Sequence, residues 1–266
     1  MLGPNYLPML IDSHCHLDRL NLAPYDGDLT KAVAAAREKN VSYILCPGID
    51  LENFPSILTI AESDHKIFAA VGVHPSVQNT QLPSLAELLA LAQHEKVVAI
   101  GETGLDFSYA CSASQRQYQS KLFQLHIQAA TILNKPLIIH SREAEADITQ
   151  ILTTAKTKGV MHCFTGSAAM AATAINLSFY ISFSGIITFR NADALRDIAK
   201  TIPLEKMLIE TDAPYLAPVP MRGKPNEPSY LPYIAEFIAK LRGISYQTFA
   251  AQIAENFWRF CSHSKI

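Results

Sequence analysis

Eight short apolar runs, each followed by a stretch of helical periodicity, constrain the fold of this 266-residue chain more than any other feature. The runs begin at residues 9, 41, 67, 97, 136, 160, 179 and 207. Continuous rather than alternating apolar strands are covered on both faces, as in parallel sheets packed with helices. Helical spacing is expected over 29–39, 51–62, 84–93, 114–133, 143–156, 168–177 and 192–200, with two closing helices at 230–241 and 246–260. The first strand runs from Met9 to His16 and the seventh over 179–188. Such alternation suits either an open doubly wound sheet or a closed barrel. The polar residues favour the barrel. His14, His16, Glu102, His140, His162 and Asp212 fall at the trailing ends of strands one, four, five, six and eight. Only closure brings the first and last of these together, so an α/β fold of the (β/α)8 TIM-barrel type is expected.

The length, with 49% hydrophobic and 17% charged residues and no Pro/Gly/Ser-rich linker, points to one domain over residues 9–266. Residues 1–8, with Pro4 and Pro8, read as a short arm or an upstream start ahead of Met9. A formal net charge of −2 provides no global field to attract nucleic acid, so an anionic substrate must be held by local cations. Five scattered cysteines, with no C-x-x-C pair, speak against a disulfide framework or a thiolate zinc site and suit a reducing compartment. Residues 1–8 carry no basic segment followed by an apolar stretch, and no run of ~18 apolar residues occurs, so a cytoplasmic protein without membrane contact or an obligate protein partner is expected.

His14 and His16 are separated by one residue, and a strand would point both to one face, ~7 Å apart. Either alone is an ordinary strand-end histidine. Together with Glu102, His140, His162 and Asp212 they form a set of borderline ligands for one or two divalent ions such as Zn²⁺, Mn²⁺ or, less readily, Mg²⁺. Six ligands exceed the need of one tetrahedral ion, whereas two ions sharing a carboxylate would use them well. Glu102 is the natural bridge, and Asp212 the natural acceptor of a proton from water whose pKa a metal lowers from 15.7 toward ~7.

The motifs carrying these residues are Asp12-Ser13-His14-Cys15-His16-Leu17-Asp18, Gly72-Val73-His74-Pro75, Gly101-Glu102-Thr103-Gly104-Leu105-Asp106, Ile139-His140-Ser141-Arg142-Glu143-Ala144, His162-Cys163-Phe164-Thr165-Gly166-Ser167 and Glu210-Thr211-Asp212-Ala213-Pro214-Tyr215-Leu216. As an ordered set, over residues 9–260, they resemble the TatD family of metal-dependent deoxyribonucleases in the amidohydrolase superfamily. The resemblance implies a distorted TIM barrel of the metallo-dependent hydrolase type, with metal ligands at His14, His16, Glu102, His140, His162 and Asp212. It also implies hydrolysis of DNA phosphodiester bonds, read here as a 3′–5′ deoxyribonuclease on single-stranded or frayed ends. Glu102, Asp212 and His74 are then the catalytic candidates, His74 also donating to a phosphate oxygen. Arg142 and Arg222 are candidate phosphate contacts. Asn226, beside Glu227, borders the expected substrate pocket. Phe164 and Tyr215 either stack on a base or pack against the barrel rim.

The chain departs from the family pattern at Met221, Pro225 and His126, where relatives usually carry an aromatic or histidine, a base, and Gln. The loss near residue 225 makes the substrate less secure than the hydrolysis. An amide, lactone or ester hydrolase, for example of an aminoacyl-tRNA linkage, fits the same ligands, and a catalytically idle nucleic-acid-binding or scaffold protein is the non-enzymatic alternative.

Overall fold

A computed structural model describes residues 9–77, 81–108 and 111–261. The expected arm at 1–8 lies outside the described residues. Eight parallel strands form one sheet in sequence order: β1 (Leu10–Asp12), β2 (Val41–Pro47), β3 (Ile67–Val71), β4 (Val97–Asp106), β5 (Leu137–Arg142), β6 (Gly159–Met161), β7 (Tyr180–Phe183) and β8 (Met207–Ile209). Around them run α1 (Leu29–Glu38), α2 (Phe54–Ser63), α3 (Leu85–Ala92), α4 (Ala113–Leu133), α5 (Glu145–Thr154), α6 (Ala168–Asn176), α7 (Asp193–Thr201), α8 (Leu231–Arg242) and α9 (Tyr246–Cys261). This is the nearly closed (β/α)8 barrel expected from the sequence. The last seam is made beyond the strands, where Ser13 N donates to Ile209 O (3.2 Å) and Asp212 N donates to His14 O (2.9 Å).

Helix starts follow local chemistry. The side chains of Asp28, Ser84, Ser112 and Ser167 accept from backbone amides at the starts of α1, α3, α4 and α6. Alternate strand residues separate into two buried clusters. Leu10, Ile44, Ile100 and Ile139 face the helices, whereas Ile11, Leu45, Val98, Ile138 and Leu208 fill the barrel with Phe257 and Phe260 of α9. Asn256 ties α9 to the amino-terminal end of β8 through Met207 O (2.8 Å). One barrel end is therefore plugged by aromatic rings, leaving the carboxyl ends of the strands for a site.

Two expected strands are shorter. β7 ends at Phe183 and passes into a 3₁₀ turn over Gly185–Thr188. The first strand ends at Asp12, so His14 and His16 are not on a strand and their common direction does not come from pleat alternation. It comes from Cys15 N bonding to Leu45 O (3.0 Å) and His16 N to Ala213 O (2.9 Å), which fold the segment over the barrel mouth. β4, in contrast, runs beyond the expected position of Glu102, and its pairing with β5 shifts register between Ile100 and Thr103. In that bulge Glu102 N reaches Gly48 O (3.0 Å), past the end of β3. Glycine is required on both sides of this approach. Gly101 has φ +144°, and a Cβ on Gly72 would lie 2.6 Å from the Gly101 backbone.

Candidate metal centre

The bulge sends the Glu102 carboxylate, buried on all sides, into the middle of six other polar groups. Its Oε2 lies 3.3 Å from His14 Nε2 and 3.7 Å from His16 Nε2. Asp212 Oδ1 completes that group, 3.8 Å from His14 Nε2 and 3.5 Å from His16 Nε2. Its Oε1 faces a second group, with His162 Nε2 at 2.9 Å, His140 Nδ1 at 3.3 Å and His74 Nε2 at 3.3 Å. One carboxylate thus presents each oxygen to a different set of imidazoles.

For His140, His162 and His74, hydrogen bonds on the outer side of the ring decide whether a lone pair or an N–H points inward. His140 Nε2 lies 3.0 Å from Asp106 Oδ2. The proton resides on that nitrogen, leaving Nδ1 bare toward Glu102. His162 Nδ1 lies 3.2 Å from Glu210 Oε1, so the neutral ring turns a bare Nε2 toward Glu102, and only the protonated ring carries an N–H there. His74 is the reverse case. Its Nδ1 accepts from Ser76 N (3.1 Å), so neutral His74 turns an N–H toward Glu102 Oε1. Three histidine-carboxylate groupings, His14–His16–Glu102, His14–His162–Glu210 and His74–Glu102–His140, have the spacing needed to hold a cation. The bond from Ser76 N separates His74 from His140 and His162, making it a hydrogen-bond donor rather than a lone-pair donor.

Bare nitrogens and carboxylate oxygens a little over 3 Å apart repel one another unless a cation or proton lies between them. Burial works against ionising Glu102, yet the imidazoles of His162, His74 and His14 hold its carboxyl well below the usual range. Burial likewise disfavours a charged ring at His162, but Glu102 and Glu210 outweigh it and lift that pKa well above the ordinary value. Asp212 is also held below the carboxylate range, burial being outweighed by His16 and His14. Its backbone has φ +56°, a conformation Asp tolerates better than most residues. A divalent cation fits this donor set and satisfies the buried nitrogens without a proton.

Outside the centre is an open cleft of about 580 Å³, with Arg19, Arg142, Cys163, Ile186 and Tyr215 on its walls. Arg142 therefore lies where a phosphate contact was expected. Arg222 does not line the cleft, because its guanidinium sits 3.8 Å over the Phe189 ring. Asn226 is buried, and its amide is spent on the chain itself. Nδ2 donates to Thr211 O (2.8 Å) and Tyr215 O (2.6 Å), and Oδ1 accepts from Glu227 N (2.9 Å). The structure thus gives Asn226 a loop-fastening position with no donor left for substrate. Glu227 accepts from Tyr25 Oη (2.8 Å) and takes part in the same fastening. Phe164 is buried and packs in the core, whereas Tyr215 is 49% exposed at the cleft.

The sequence reading missed Asp106, Glu210 and Asp12. Asp12 accepts from Thr211 N (2.9 Å) and His14 N (3.3 Å), fastening the first ligand segment to the last. Each lies within a few residues of a candidate ligand, and asking which acid takes the second nitrogen of each histidine would have pointed to Asp106 and Glu210. His126 is buried on α4, where its Nε2 accepts from Val73 N (3.0 Å) and so fixes the residue before His74. All five cysteines are free thiols. Among the described residues no helix is long and apolar enough to cross a membrane.

Comparison with known proteins agrees with this geometry. The family model described as TatD related DNase matches residues 11–262. A metal-dependent hydrolase of Escherichia coli K12, YcfH, is 43% identical over 254 residues, covering 94% of each chain. The protein named 3′-5′ ssDNA/RNA exonuclease TatD in Salmonella typhimurium is 35% identical, over 89% of this chain and 94% of its own. Among solved structures, YjjV, a TatD homologue of E. coli K12, superposes with a TM-score of 0.86 at 29% identity, covering 96% of this chain and 98% of that one. Matched by that family model over residues 11–262 and by YcfH over 94% of its length, this chain with its bulged glutamate ringed by imidazoles belongs to the TatD family of metal-dependent hydrolases.

Proposed function

We propose that the protein is a 3′–5′ exonuclease that hydrolyses phosphodiester bonds in single-stranded DNA or at frayed ends. The observation that carries this reading is the division of Glu102, one oxygen facing His14, His16 and Asp212 and the other facing His140 and His162. Two donor sets sharing one carboxylate would let a pair of cations stabilise both the attacking and the leaving oxygen of a hydrolysis. The name of the 35%-identical Salmonella relative supports nucleic acid as the substrate.

In this reading His14, His16, Glu102 and Asp212 hold one divalent cation and Glu102, His140 and His162 a second, with Zn, Mn and Mg as the candidates. When bound, such cations would lower the pKa of water and neutralise charge on the phosphoryl oxygens. Asp212, ionised at neutral pH, takes the proton from the attacking water. His74 offers its Nε2–H to a phosphoryl oxygen or to Glu102, and Asp106 and Glu210 keep the rings of His140 and His162 in the lone-pair-inward tautomer. Arg142 adds a cation at the cleft for the neighbouring phosphate. Residues 9–266 act as one domain, and the free thiols favour a cytoplasmic setting.

The test is nucleotide release from a 3′-labelled single-stranded oligodeoxynucleotide by metal-stripped protein given Zn²⁺, Mn²⁺ or Mg²⁺, beside an RNA, an aminoacyl-tRNA and a lactone. Stepwise release from DNA, lost in the His14→Ala/His16→Ala double variant and reduced at least a hundredfold in Asp212→Asn, is expected. Turnover of only the carbonyl substrates would replace the reading with an amide, lactone or ester hydrolase.

A further inference from the structure

Tyr215 is one of four strongly exposed large hydrophobic side chains among the described residues, and it stands at the wall of the catalytic cleft. Its backbone is fixed from two sides, since Tyr215 N donates to Asp212 O (2.9 Å) and Tyr215 O accepts from Asn226 Nδ2 (2.6 Å). The ring meets the His16 imidazole edge-on, with centroids 6.1 Å apart and planes at 73°. One edge is thereby anchored beside a candidate metal ligand, while half of the residue's surface stays open to solvent. Keeping an aromatic ring exposed and rigid at such a point gains nothing for the core, so its value lies in what it contacts.

Arg19 lies on the same wall. Burial disfavours its charge, but Tyr215 and Asp18 more than restore it, so the guanidinium remains cationic beside the ring. Ile186 and Leu216 supply apolar surface nearby. A flat π-face, an adjoining cation and an apolar flank match a nucleobase with its phosphate, since every base has a face that stacks on an aromatic ring.

We propose that Tyr215 is the stacking platform for the unpaired base adjoining the scissile phosphodiester, and that Arg19 holds the next phosphate. The proposal rests on the nuclease reading above and deepens it. A base inside a duplex is stacked on both faces and an end base is still tied to its complement, so lying on Tyr215 beside the buried centre favours strand ends that are single or frayed. Because the base contact is made in the ground state and the transition state alike, its loss acts on KM and leaves kcat nearly unchanged.

The test compares two 3′-labelled single-stranded oligodeoxynucleotides, one ordinary and one abasic at the terminal nucleotide, on wild type, Tyr215→Ala and Tyr215→Phe. On the ordinary substrate Tyr215→Ala is expected to raise KM roughly ten- to a hundredfold, with kcat within about twofold and with Tyr215→Phe close to wild type. On the abasic substrate wild type itself shows the raised KM, and Tyr215→Ala adds nothing. The wild-type comparison of the two substrates needs no variant to fold. Release by wild type with equal KM on both substrates, or with KM unchanged in Tyr215→Ala, overturns the platform and leaves the nuclease intact. No release by wild type from either substrate overturns the nuclease reading, and the platform with it.

Discussion

Asp106→Asn is the substitution from which most can be learned about how the barrel tunes its centre. In the native chain Asp106 Oδ2 takes the Nε2 proton of His140 at 3.0 Å, and Oδ1 accepts from Ser108 Oγ (2.6 Å) and N (3.0 Å). Burial opposes ionisation of Asp106, but the bonds from His140 and Ser108 hold it far below the usual carboxylate range. An asparagine keeps the shape and removes the charge. Its oxygen goes to the two Ser108 donors, so its NH₂ is left facing His140 Nε2. The ring then prefers to carry its proton on Nδ1, the nitrogen 3.3 Å from Glu102 Oε1, where the lone pair is needed. Loss of such a partner costs about ten- to a hundredfold in metal affinity, or roughly 1.4 to 2.7 kcal/mol. Calorimetric titration of Mn²⁺ or Zn²⁺ into metal-stripped wild type and variant measures it, with circular dichroism showing that the barrel is retained. The weakening should appear in one binding step and spare the step served by His14, His16 and Asp212. Unchanged affinity in both steps would refute the tautomer argument for His140.

Three further perturbations follow from the same geometry. Burial pushes the His126 pKa down to about 4 from its ordinary 6.5, so the unfolded chain binds the proton more readily and stability falls as pH drops from 6.5 toward 4. Between pH 6.5 and 5.0 this is about 1.6 kcal/mol, measured by urea unfolding as the part of the pH dependence that His126→Gln removes. Asn226→Ala strands the carbonyls of Thr211 and Tyr215 and should destabilise by about 2 to 3 kcal/mol, read as a lowered Tm. Gly72→Ala places a methyl 2.6 Å from the Gly101 backbone, and should cost about 1 to 3 kcal/mol while weakening metal binding, because the bulge that aims Glu102 must give way.

The barrel was legible because its signals are local and repeated. Each strand is a short apolar run, each helix a periodic one, and the polar residues mark one end of the sheet. The direction of His14 and His16 was legible only by accident. Strand alternation predicts it, but the chain has left the strand by Asp12, and backbone bonds to Leu45 and Ala213 impose it instead. Such contacts join residues remote in sequence, and no periodicity reports them. The bridging role of Glu102 was read from the ligand count, but the same limit hid how the residue is aimed, which depends on a register shift against β5, and the occupation of Asn226, whose partners are backbone carbonyls. Asp106 and Glu210 were readable in principle, since a buried imidazole facing a cation needs an acceptor for its other nitrogen. The exposure of Tyr215 against the burial of Phe164 could not be read from residue type, because both are aromatic residues shortly after a strand end.

The two oxygens of Glu102 face different imidazoles, so each would serve a different cation. Native mass spectrometry of the chain reconstituted with excess Zn²⁺ or Mn²⁺ and then desalted counts the cations directly, with Glu102→Ala as the comparison. Two ions per wild-type chain, and fewer than two in Glu102→Ala, is the result predicted. A single ion in the wild type, or two ions retained undiminished without Glu102, would contradict it.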